Sequence, residues 1–103
     1  VAAVPATVPG PPTDLVANEV DGAVELSWSP PDDDGGDAII DYLVEQSTAS
    51  GGPWQVVADG AGTAPSALVP GLTNGTEYWF RVSAINDLGG GSPTPSVPAT
   101  PNP

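Results

Sequence analysis

The chain has 103 residues, the length of one ordinary domain, so two independent cores do not fit. Thirteen acids stand against one base, Arg81, for a formal charge of −12, the wrong sign for binding DNA, RNA or an anionic membrane surface. With no Cys, His or Lys there is no thiolate nucleophile, no imidazole base, no nitrogen or sulfur ligand for zinc, and no Schiff-base chemistry.

Gly and Pro number 13 and 14, a share that would suit a disordered polymer were it evenly spread. Nine of the fourteen prolines instead fall within residues 1–12 and 93–103, so the middle keeps the aliphatic and aromatic residues of a core. Residues 1–12 carry no charge and read as an extended, polyproline-like strap. Leu15 and Ala17 open a first strand. Ala23–Ser29 alternates strictly and sends Val24, Leu26 and Trp28 to one face, Glu25 and Ser27 to the other. In the third run Ile40, Tyr42 and Val44 are expected inward and Asp41, Leu43 and Glu45 outward. After the turn Gly51-Gly52-Pro53, Trp54 to Ala58 forms a short apolar stretch, and Ala67 to Val69 is another, stopped by Pro70-Gly71. Thr76 to Asn86 is the longest run, with Tyr78, Phe80, Val82 and Ala84 facing inward. A proline-interrupted edge strand from Pro93 to Ala99 closes the series.

Nowhere is helical spacing sustained, and no apolar stretch approaches the roughly 18 residues of a membrane span. The expectation is an all-β, immunoglobulin-like sandwich of seven antiparallel strands that holds without a disulfide, with Leu26, Trp28, Tyr42, Val44, Leu72, Tyr78, Phe80 and Val82 as its core.

The ordered pieces Pro9-Gly10-Pro11-Pro12-Thr13-Asp14-Leu15, Leu26-Ser27-Trp28 with Pro30-Pro31, Ile40-Asp41-Tyr42-Leu43-Val44-Glu45, Gly71-Leu72, Thr76-Glu77-Tyr78 and Phe80-Arg81-Val82-Ser83-Ala84-Ile85-Asn86 with Gly89 resemble a fibronectin type III domain. The resemblance places the domain at residues 9–99, with 1–8 and 100–103 as joints to neighbouring modules. It also implies a tyrosine corner, in which the Tyr78 ring packs inward and its hydroxyl bonds to the backbone before it. Asn74-Gly75 is read as a tight turn in preference to a glycosylation site, because the composition looks bacterial rather than animal.

Three surface features carry candidate sites. Asp32, Asp34 and Asp37 lie in one loop and Asp87 in the last hairpin loop, weak candidates for Ca²⁺, although the spacing is not that of an EF-hand. Trp54, Trp79 and Arg81, with Ile39, Leu43 and Ile85, are expected on one outer face that could hold a glycan or protein, or simply pack across strands. Glu25, Asp41, Glu45 and Glu77 are the carboxylates a glycoside hydrolase would need, but all sit on outward strand positions without a cleft. An Arg-Gly-Asp triplet is missing from the last loop, so integrin recognition is not carried over.

The chain also lacks Met, and Val4-Pro5-Ala6-Thr7 recurs as Val97-Pro98-Ala99-Thr100, an offset of 93 residues that suits a piece of a tandem array. The resulting expectation is a non-catalytic spacer without cofactor, a monomer whose partners are neighbouring domains of its own chain. The setting expected is extracellular or on a cell surface, beside a polysaccharide-degrading enzyme or in an adhesin. The competing expectation is a module that binds protein or polysaccharide through the Trp79 and Arg81 face.

Overall fold

A computed structural model of the protein describes residues 6–57 and 63–103; residues 1–5 of the expected strap and Ala58 of the fourth stretch lie outside the described residues. The described chain contains strands β1 (Thr13–Val20), β2 (Ala23–Ser29), β3 (Asp41–Ser47), β4 (Gln55–Val57), β5 (Ser66–Val69), β6 (Tyr78–Asn86), β7 (Gly89–Gly90) and β8 (Val97–Ala99). They form two antiparallel sheets, ordered β1-β2-β5 and β4-β3-β6, with β7 and β8 both on the remaining edge of β6. The body measures 56 × 24 × 20 Å.

Alternation in β2 and β6 explains how the layers close. Val24, Leu26 and Trp28 of β2 and Val69 of β5 meet Tyr42 and Val44 of β3, Phe80, Val82 and Ala84 of β6, and Ala99 of β8. Leu15, Ala17, Leu72 and Tyr78 are half-buried against this cluster. Trp28 is 5% exposed and stands edge-on to Tyr42, with ring centroids 5.3 Å apart and planes at 68°, the offset geometry that aromatic quadrupoles favour. Burial raises the Tyr42 hydroxyl pKa above its ordinary value, and the Trp28 indole beside it offsets part of the rise.

Two details depart from the sequence reading. Ile40, expected inward, is 49% exposed, while Ile39, expected on the outer face, packs against the core. The paired strand begins only at Asp41, so the two-residue period does not extend back to either isoleucine. The expected closing strand from Pro93 to Ala99 pairs as a strand only at β8, Val97–Ala99, with Thr94 held near its start between Pro93 and Pro95, and β7 (Gly89–Gly90) forms in the stretch read as the last hairpin loop. Thr94 donates its N–H to the Val82 carbonyl at 2.8 Å and accepts the Val82 N–H on its hydroxyl at 3.1 Å. The described residues form eight strand segments where seven were expected.

Candidate functional site

The outer face of β3 and β6 is set by register. Glu45 stands opposite Arg81, Leu43 opposite Ser83 and Ser47 opposite Trp79. Arg81 Nε donates to Glu45 Oε1 at 2.9 Å, and its guanidinium carbon lies 4.4 Å from the centre of the Trp54 ring, contributed by the turn before β4. Arg81 thus has an anion and an aromatic face as partners within the chain. Trp54 and Trp79 are both half-buried on this side of the molecule.

The carboxylates do not assemble. Glu25 projects from β2 on the opposite face of the sandwich from Asp41 and Glu45 of β3, with the core between them. Glu25 borders a shallow surface groove with Asn18, Ser27, Ser66 and Leu68. Glu77 precedes β6 and is exposed.

At the pole built by the β2–β3 and β6–β7 loops, three of the loop aspartates bond to backbone within their own turns. Among the described residues no group of three or more acids could hold a metal ion. Asp33 and Asp34 accept the N–H groups of Gly35 and Gly36 at 2.8 and 2.9 Å, and Asp37 accepts that of Ala38 at 3.0 Å, turn-forming bonds that Asp side chains commonly make. Asp32 and Asp87 are exposed.

Between these loops lies the strap that precedes β1. Thr7 N–H donates to the Gly35 carbonyl and Gly10 N–H to the Asp33 carbonyl, each at 2.8 Å. Asn86, 1% exposed, donates its amide to the carbonyls of Thr7 at 2.7 Å and Asp34 at 2.9 Å and accepts the Leu88 N–H at 2.9 Å. Gly35 of the β2–β3 loop and Gly91, just after β7, press onto the strap: a Cβ on Gly35, whose φ is 77°, would collide with the Thr7 carbonyl, and one on Gly91 with the Pro9 carbonyl. Only a residue without a side chain lets backbone approach backbone this closely.

The opposite pole holds the other end. Asn74 bridges two turns, accepting the Gly22 N–H and donating to Asp21, both at 2.8 Å. Gly75 N–H donates to the carbonyl of buried Pro101 at 2.9 Å, and Thr100 N–H donates to Glu19 Oε2 at 2.6 Å. The chain enters the body at one pole and leaves it at the other, held at both.

Residues 10–101 match the family described as fibronectin type III domain. A titin homologue of Caenorhabditis elegans is 42% identical over 77 residues, which cover 75% of this chain and round to 0% of the relative. Human myomesin-2 is 41% identical over 91 residues, covering 86% of this chain and 6% of the relative. A crystal structure of titin domains A168–A170 superposes with a TM-score of 0.81 at 34% identity, over 92% of this chain and 32% of that one. This chain therefore spans only a small part of its curated relatives.

These relatives correct the expected setting. Titin, myomesin and M-protein are intracellular sarcomeric muscle proteins, so the extracellular or cell-surface placement is overturned. A bacterial origin likewise has no support, since these titin and myomesin relatives are animal muscle proteins, and neither attachment to a polysaccharide-degrading enzyme nor carbohydrate binding gains any.

Proposed function

The chain belongs to the fibronectin type III family, whose members among these relatives are modules of long multidomain proteins, and from that premise we propose that it serves as a non-catalytic structural spacer. The observation that carries this reading is the fixing of entry and exit at opposite poles, by Asn86 on Thr7 and by Gly75 on Pro101. A module gripped in this way transmits direction from one neighbour to the next along its 56 Å axis. The formal charge of −12 supports the same role, because like-charged modules repel and keep a series extended. Its partners are the neighbouring domains of its own chain, and it acts as a monomer without a cofactor.

The binding-module reading is less favoured, because Arg81 and Trp54 already satisfy one another and Glu45 completes the set. Small-angle scattering on one, two and three modules in series tests the spacer. The maximum dimension is expected to grow by about one long axis per module, and an array that folds back on itself overturns the reading. Tryptophan fluorescence titrated with polysaccharides is expected to stay constant; a saturable shift would favour the binding module.

A further inference from the structure

The recurring tetrapeptide gains meaning from where its copies sit. At an offset of 93 residues, Ala6-Thr7 corresponds to Ala99-Thr100, yet the two copies are held by opposite poles. We propose that, when modules of this kind follow one another at that spacing, a single Ala-Thr is gripped by both at once, leaving no free residue in the joint. The proposal rests on the spacer reading and deepens it by naming the surface that faces the neighbouring copy.

The two grips overlap at only a few atoms. In the upstream module Ala99 pairs with Tyr78 at the end of β8, Thr100 N–H points to Glu19, and the next carbonyl accepts the Gly75 N–H. In the downstream module the threonine carbonyl belongs to Asn86, Ala6 lies against Gly36, and the next carbonyl accepts the threonine hydroxyl. A carbonyl oxygen has two lone pairs, so the residue after threonine can serve Gly75 and the hydroxyl together. Two further atoms are claimed from both sides: the threonine carbonyl, reached by Asn102 upstream and Asn86 downstream, has a lone pair for each, whereas the threonine N–H, claimed by Glu19 upstream and by Gly35 downstream, can serve only one. Glu19 is an exposed side chain and yields, whereas the Gly35 carbonyl is fixed by its loop.

Neighbouring domains ordinarily move relative to one another; a joint without slack suppresses that motion. The test is a two-module chain made by joining residues 1–96 directly to residues 4–103, so that one tetrapeptide is shared, with a second version carrying four Gly-Ser residues after the shared threonine. Backbone ¹⁵N relaxation is expected to give one rotational correlation time for both halves of the first and two for the second. Amide exchange at the shared threonine is expected to slow several-fold relative to Thr100 in the single module. Independent tumbling of an extended first version, or loss of folding in either half, overturns the shared joint and leaves the spacer reading standing. A single correlation time in a folded-back pair supports the joint and overturns the spacer.

Discussion

Thr94 stands in for a stretch of strand by bonding twice to Val82, once through its backbone N–H at 2.8 Å and once through its hydroxyl at 3.1 Å. Pro93 and Pro95 cannot donate to the ladder, so between β7 and β8 the edge of β6 is met by Thr94 and by Gly91, whose N–H donates to the Ala84 carbonyl at 2.9 Å. Thr94 is 5% exposed, and Val82 is buried with its N–H. Replacing the hydroxyl by a methyl leaves that N–H without a partner and without water. Thr94→Val is expected to destabilise by about 1–3 kcal/mol in urea unfolding, while Thr94→Ser retains most of the bond. Equal midpoints for Thr94→Val and the parent would show that the hydroxyl bond contributes nothing.

The sandwich was legible because β2 and β6 are long and paired with β1 and β3 along most of their length, and their inward residues keep period two even though Ala23 and Ser83 are also buried. It failed where the register ends: Ile39 and Ile40 precede β3, and although Ile40 N–H donates to the Ile85 carbonyl at 2.8 Å, that bond lies outside the register, begun at Asp41 opposite Ile85, that sets the alternation. Asn86 offered a signal that was passed over. It shares the inward parity of Tyr78, Phe80, Val82 and Ala84, and a polar residue at a buried parity position requires partners. Those partners are carbonyls in the strap and in the neighbouring loop, up to 79 residues away in sequence, which no local pattern reveals. The aspartates were conspicuous for their charge, but they shape their own turns. Arg81 and Trp54 were foreseen on one face, and the structure adds that they occupy each other.

Trp28 fills the centre of the layer between the sheets, in contact with Tyr42. Trp28→Ala is expected to cost about 3–5 kcal/mol, lowering the melting temperature by at least ~10 °C for a domain of this size. Trp28→Phe should cost less, since it keeps a ring against Tyr42. A Trp28→Ala protein melting within a degree or two of the parent would refute the central role of this ring.

The corner at Tyr78 is a single bond with a known direction: Thr73 N–H donates to the phenolic oxygen at 3.0 Å, across five residues. Thr73 is exposed, so water can replace the hydroxyl as acceptor. Tyr78→Phe is therefore expected to lose only about 1 kcal/mol, read as a shift in the urea midpoint with unchanged slope. A loss of several kcal/mol would mean that the hydroxyl has partners besides this turn.

Tyr42 makes stability depend on alkaline pH. Burial lifts its pKa above the ordinary 10.0, and the Trp28 indole only partly counters this. The unfolded chain, with the ordinary value, loses its phenolic proton first. Below pH 10 both states hold the proton and the contribution is complete; as pH rises from there through the folded value, the unfolded state gains and stability falls. The limiting slope for one proton is about 1.4 kcal/mol per pH unit. The chain contains no lysine, and arginine stays charged throughout this range, so few other side chains contribute. Urea midpoints for the parent and Tyr42→Phe between pH 8 and about 11.5 separate the effect: the parent is expected to fall more steeply above pH 10. Parallel curves would show that the buried hydroxyl titrates alike in both states.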